Sequence, residues 1–246
     1  MNIGMYQSAA SLTALERWQE AVSQNITASQ VTGFKKHTVE FSGTPMGQIN
    51  AGSGRDSEVQ AGILPKATFG ISFQAGETSP TSRPLDVALQ GEGFFQVQSQ
   101  SGGQEYTRAG EFHIRADRTL VTKDGGAVLS NSGSPITIQA QGGEVSISPE
   151  GIVSQGETQL GQIGVVRFPD PSKLLPIGGG SFTAPEGVDA TPVDKPQILQ
   201  GYLESSNVTP LREMVALVQI ARAYEANQKL ITSRDQTLQK TLETLG

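Results

Sequence analysis

The chain has no cysteine in its 246 residues. Disulfides, thiolate nucleophiles and thiolate metal sites are therefore excluded, while the compartment stays open. Apolar residues are scarce too, at 36%, below the usual share for a compact soluble domain. No window approaches the roughly 20 apolar residues that cross a bilayer, so the expectation is a chain not inserted in a membrane. No basic segment precedes an apolar run near the start, since the first basic residue is Arg17. A secretory signal of the usual kind is absent from the sequence as it stands. If the protein leaves the cytoplasm, its N-terminus is expected to stay uncleaved.

Basic charge is also short. The formal net charge is -6 and the pI about 5.0, whereas a nucleic-acid binder usually carries a basic face. Nucleic acid is therefore not an expected partner. The one compact basic cluster, Lys35-Lys36-His37, reads as a solvated exit from a helix. Histidine occurs twice, as His37 and His113, 76 positions apart. Neither has the spacing of a metal site or of an acid–base pair. Nucleophile-elbow, P-loop and zinc-protease motifs are missing. Glu204 and Asp235 have no acidic neighbour in sequence, although a spatial pair of carboxylates is invisible at this level. No catalytic, cofactor-binding or metal-ligating residue is assigned, and no cofactor or small-molecule substrate is expected. Asn25-Ile26-Thr27 fits the glycosylation pattern but falls within a helical stretch, so it is read as chance.

Glycine and proline are plentiful, with 29 and 13 copies, yet they avoid both ends. Between Asn2 and Ser29 there is no proline and only Gly4. Met5, Ser8, Leu12, Leu15, Gln19, Val22 and Ile26 follow one another at alternating three and four, the spacing of a heptad stripe. Gly33 lies just past this run, where a left-handed glycine is expected. Near the other end, Thr209-Pro210 reads as an N-cap followed by proline in the first helical position. Leu217, Ile220, Tyr224, Asn227, Ile231, Arg234, Leu238, Thr241 and Leu245 repeat the spacing. Two long helices with narrow apolar stripes need something to cover them, because most helix stability comes from burying that face. Heptad spacing at both ends points to coiled-coil packing.

The middle is different. Residues 42–84 are rich in Gly, Ser, Thr and Gln, with Gly52-Ser53-Gly54 among them, and read as extended, partly flexible chain with short strands. From Leu85 the alternation Leu85, Val87, Leu89, then Phe95 and Val97, marks strands split by Gly91 and Gly93. Further strands are predicted at Phe112–Ile114, Leu120–Val121, Val128–Leu129, Ile136–Ile138, Val145–Ile147, Ile152–Val153 and Ile163–Phe168. Turn residues such as Asp124-Gly125-Gly126 separate them. Pro169–Pro196 is expected as a loop-rich return. The fold class is α+β: residues 1–36 an N-terminal coiled-coil helix, 37–84 an extended linker, 85–196 a mainly antiparallel β domain, and 197–246 a C-terminal coiled-coil helix.

Four segments, in order, resemble the flagellar rod and hook protein family. They are Ser23–Lys35, with Asn25-Ile26 and Thr32-Gly33-Phe34-Lys35; Leu85–Val97, with Gly91-Glu92-Gly93-Phe94-Phe95; Tyr106–Phe112 followed by Leu120–Gly125; and Gly201–Val208 leading to Arg222-Ala223-Tyr224-Glu225. Thr27-Ala28 departs from the usual Ala-Asn, and Arg118 stands where a glycine commonly precedes Leu-Val-Thr. The resemblance implies a structural subunit exported by the flagellar type III apparatus. Such a subunit assembles helically with itself and other rod subunits into a hollow axial rod crossing the periplasm, in the basal body of the flagellum. It implies an inner tube of terminal helices, with interface positions Met5, Leu12, Leu15, Val22, Ile26, Leu217, Ile220, Tyr224, Asn227, Ile231, Leu238 and Leu245. Asn25, Gly33, Phe34 and Asn207 would form the joint to the β domain. The short length and opening residues favour a proximal rod subunit over a distal one or the longer hook protein. A secreted adhesin-like or phage-like fibre of coiled coil and β domain, and a periplasmic β-sheet enzyme with helical extensions, remain as alternatives.

Overall fold

The computed structural model describes residues 3–45 and 63–245. Gly52-Ser53-Gly54, and with it much of the expected flexible stretch, lies outside the described residues, as do the side chains of Met5, Leu238 and Leu245. The chain forms two compact units that interleave along the sequence. The first takes Met1–Thr27, His37–Ile71 and Thr209–Gly246; the second takes Ala28–Lys36 and Ser72–Val208.

The first unit holds helix α1 (Ile3–Thr27), strands β1 (His37–Pro45) and β2 (Ile63–Ile71), and helix α2 (Pro210–Leu245). Proline at the head of α2 costs nothing, because its missing N–H would have had no intrahelical acceptor. The Thr209 carbonyl accepts from the N–H groups of Arg212 and Glu213 and starts the ladder. The 36 residues of α2 give a rod of roughly 54 Å. Asn25, in the last turn of α1, bonds Glu213 in the first turn of α2. The helices thus pair antiparallel, and their seam joins Leu15, Trp18, Val22 and Ile26 to Ala216, Leu217, Ile220, Ala223 and Tyr224. β1 and β2 pair antiparallel without a break from His37↔Ile71 to Pro45↔Ile63. Period-two alternation puts Val39, Phe41, Ala67 and Phe69 on one face. That face meets α1: Trp18 packs edge-on against Phe41 with ring centroids 5.6 Å apart, and Arg17 donates to the Ala67 carbonyl. The helix pair is therefore covered on one side by a hairpin, not by helices alone.

The second unit is built of short strands: β3 (Thr78–Pro80), β4 (Val87–Gln90), β5 (Phe94–Gln98), β6 (Gln104–Thr107), β7 (Phe112–Ile114), β8 (Leu120–Thr122), β9 (Ala127–Val128), β10 (Val145–Ile147), β11 (Ile152–Gln155), β12 (Thr158–Gln162), β13 (Val165–Arg167), β14 (Leu175–Gly178), β15 (Ser181–Thr183), β16 (Thr191–Pro192), β17 (Gln197–Gln200) and β18 (Tyr202–Glu204). Nine of them form one sheet in the order β14-β15-β6-β5-β9-β8-β7, with β13 also on β5 and β16 on β13. β10-β11-β12, β17-β4 and β18-β3 form smaller sheets. Every strand pairing is antiparallel. The core gathers alternate residues of these strands, among them Val87, Leu89, Phe95, Val97, Leu120, Val128, Val153 and Ile163.

One expectation is refined and one changes. Pro169–Pro196 is loop-rich, and it also carries three short strands: β14 and β15 extend the large sheet past β6, and β16 pairs with β13. Ile136–Ile138 forms no strand; it is held by single bridges, Leu129↔Pro135 and Thr119↔Thr137, and serves the core through buried Ile136 and Ile138.

Candidate assembly surface

The joint residues lie where the chain passes from one unit to the other in sequence. In the first unit, the Asn25 side chain grips the backbone of His37 twice. Its Oδ1 accepts from the His37 N–H at 2.7 Å and its Nδ2 donates to the His37 carbonyl at 2.8 Å. An asparagine amide thereby mimics a strand partner and fixes where β1 begins. His37 Nδ1 lies 2.8 Å from Gln24 Oε1, and burial holds the imidazole pKa below its ordinary value.

In the second unit, Gly33 has φ +68° and donates its N–H to the Glu204 carbonyl at 2.8 Å. A Cβ here would meet the Arg108 and Ala109 backbones at 2.4 Å, so only glycine fits. Phe34 is buried. Asn207 accepts from the Lys36 N–H at 2.6 Å and donates to the Ser72 and Gln74 carbonyls. It ties Ala28–Lys36 to the segment after β2.

Lys35 corrects the reading of its cluster as solvated. It is 1% exposed, lies 2.5 Å from Glu204 Oε1 and donates to the Gln74 carbonyl. Arg108 Nη1 reaches the other carboxylate oxygen at 3.4 Å, with Arg108 also donating to the Leu89 and Gly91 carbonyls. Burial pushes the Lys35 pKa down, and the hydrogen bond and charge of Glu204 oppose it. Burial likewise lowers Arg108. One carboxylate thus anchors two cations from segments far away in sequence. Only the Lys-Glu and Arg-Glu sequence separations hid this cluster, since composition marks none of its members.

Of the stripe positions, Leu15, Val22 and Ile220 are buried, and Ile26, Leu217 and Tyr224 are partly buried in the same helix seam. Leu12, Asn227 and Ile231 are half-buried. Asn227 bonds the Ala223 carbonyl of its own helix. Sequence reading missed the reverse side of α2. There Leu211, Met214, Val215 and Val218 are each more than half exposed, at i, i+3, i+4 and i+7, which is one helix face. The seam counts every third or fourth residue and passes these by. Among the described residues no group of acidic or histidine side chains could hold a metal, and no helix is long and apolar enough to cross a membrane.

The first unit is a pair of long helices whose second member carries a further apolar face, and the second is a strand-built unit with a buried cluster of Lys35, Arg108 and Glu204. Comparison with known proteins gives the family. The model of the flagellar hook protein FlgE/F/G D1 domain matches residues 88–155, and that of the flagellar basal body rod FlgEFG protein C-terminal region matches 199–244. The chain is 33% identical over 246 residues to flagellar basal-body rod protein FlgF of Caulobacter vibrioides, covering 100% of this chain and 99% of that protein. It is 29% identical to FlgF of Rhizobium meliloti, over 100% and 99%. It is 31% identical to rod protein FlgG of Agrobacterium fabrum, over 93% and 94%. The chain belongs to the flagellar basal-body rod protein family.

Proposed function

We propose that this chain is a structural subunit of the bacterial flagellar basal-body rod, not an enzyme, and that it is of the FlgF kind. Its terminal helices form a coiled-coil layer that joins it to copies of itself and to other rod subunits. The flagellar type III apparatus exports it to its place in the basal body. One observation carries the assembly role: α2 has apolar side chains on two faces, and α1 covers only one of them. The FlgF kind is supported by end-to-end alignment with two FlgF proteins, whereas FlgG relatives of similar identity align over 93% to 96% of the chain. Distal rod identity is the second reading, favoured by a 34% match to FlgG of Borreliella burgdorferi.

Ile231 tests this reading. It is half-buried on the inner face of α2, and Gln228 is exposed. Ile231→Asp sets a charge in an apolar seam, and every subunit in the assembly repeats the defect. Ile231→Asp is expected to be made with its strand-built unit unchanged by circular dichroism, yet to build no rod in electron micrographs of basal bodies. Gln228→Asp is expected to assemble. Normal rods from Ile231→Asp would sink the reading.

A further inference from the structure

The apolar side chains of the helix seam do not choose their partner. Its buried apolar members are Leu15, Val22 and Ile220, and apolar burial has no direction. Both helices repeat apolar residues at the same alternating spacing. The α2 of a second copy would therefore cover this seam about as well as α1 does. A directional contact has to separate the two arrangements, and one stands at the end of the seam. Asn25 follows Leu15, Trp18 and Val22 at three and four, and Glu213 precedes Leu217, Ile220 and Tyr224 at the same spacing. Both are thus seam positions. Both are polar, and they are 0% and 2% exposed.

We propose that Asn25 and Glu213 select α1 of the same chain as the seam partner of α2, against α2 of a second copy. The choice concerns pairing within one chain and does not depend on the rod reading. Both hydrogens of the Asn25 Nδ2 are placed. One goes to the His37 carbonyl at 2.8 Å and the other to Glu213 Oε2 at 3.1 Å, while Oδ1 takes the His37 N–H. The grip on His37 fixes which way the amide turns, so a donor stands where the first turn of α2 arrives. The N-terminus of that helix favours a carboxylate, and the amide donor offsets the burial of Glu213. A second α2 brings no Asn25. Laid parallel and in register, it sets one Glu213 against another. Laid antiparallel, it brings later members of the stripe, where Asn227 already donates to the Ala223 carbonyl of its own helix. Either way a carboxylate is buried against like charge or away from the donor built for it. A buried polar residue in an apolar seam sets the pairing in this way, at a cost in stability.

The chain has no cysteine, so one introduced thiol reports on contacts between copies. Ala216→Cys and Ala223→Cys, both on the α2 side of the seam, are made separately in the full chain, which is purified and oxidised in dilute solution. A disulfide then forms only where α2 meets α2, and little dimer is expected from either parent. Glu213→Leu leaves the grip of Asn25 on His37 in place. It should raise the dimer yield with at least one of the thiols by about tenfold, the worth of a buried hydrogen bond to a charged group. Asn25→Asp should raise it too, by setting carboxylate against carboxylate. Adding Glu213→Gln to Asn25→Asp should bring the yield back down, because the new amide donates to the new carboxylate; a merely structural role for Asn25 gives no such rescue. The proposal is overturned if Glu213→Leu yields no more dimer than the parent with either thiol, if the parents already dimerise fully, or if the rescue fails. A rise in dimer that comes with loss of helical circular dichroism also overturns it, since the thiols would then meet in unfolded helices.

Discussion

Glu204 is the residue on which the second unit turns. Its backbone carbonyl takes the Gly33 N–H, and its carboxylate takes Lys35, Arg108 and the Gly76 N–H. Removing one member of a buried ion pair strands the remaining charges, a loss of about 3–5 kcal/mol. Glu204→Gln should therefore lower the urea midpoint strongly. Pairing it with Lys35→Met should cost less than the two changes summed, because the methionine removes the orphaned ammonium. Additive losses would show that the pair is not coupled. Arg118 presents the opposite case. It has φ +68°, a left-handed conformation that costs a side-chain-bearing residue about 1–2 kcal/mol. Its N–H still bonds the Arg115 carbonyl, and its carbonyl takes the Ile138 N–H, so the turn is held from outside. Arg118→Gly should raise stability by about 0.5–1 kcal/mol, since the strain relieved exceeds the entropy glycine loses on folding. A lower urea midpoint for Arg118→Gly would refute this.

At the level of elements, the helix seam is the part most exposed to a single change. Val22 is 2% exposed at its centre, and Ser23 next to it faces out. Val22→Asp should reduce helical circular dichroism while the near-ultraviolet signal of the second unit persists; Ser23→Asp should change neither. Equal effects from the two would mean that α1 does not depend on α2. The helices were legible in sequence because proline and glycine avoid them and Thr209-Pro210 marks a start. Strands β4 and β5 were legible because Leu85 to Val97 alternates between turn glycines. The β1–β2 hairpin was not, because Pro45 and Pro65 stand in its strands, Gly, Ser and Thr interrupt them, and its apolar face, Phe41 and Phe69 included, is spread over two segments. β14 and β15 were hidden by Pro176 and Gly178–Gly180, which read as loop and yet sit at a sheet edge, the position that tolerates proline. Lys35 was misread because its partner stands 169 residues away. A charge run looks the same whether water or a carboxylate receives it.

The whole molecule combines two units of unequal strength. The seam of the first has three buried apolar members, Leu15, Val22 and Ile220. The main core of the second has fourteen. At about 1.5–3 kcal/mol for each large side chain buried, the first unit opens at far lower free energy, and proteases cut what opens first. From sequence alone, the resistant part would span roughly 80–200. The contacts extend that range. Ala28–Lys36 belongs to the second unit, held by Gly33 on the Glu204 carbonyl, Lys35 on its carboxylate and Lys36 on Asn207. A protease that clears both helices should therefore leave Ala28–Lys36 bound to Ser72–Val208 even where the chain between them is cut. Thermolysin is the suitable enzyme, because its apolar preference spares Lys35 and Lys36. Native mass spectrometry should find the short peptide travelling with the large fragment in wild type, and free of it in Glu204→Gln, which removes its anchor. A wild-type core that begins near residue 80 with no attached peptide would show that the anchors do not hold once the helices are gone. The first segment would then be part of the helical unit rather than of the strand-built one.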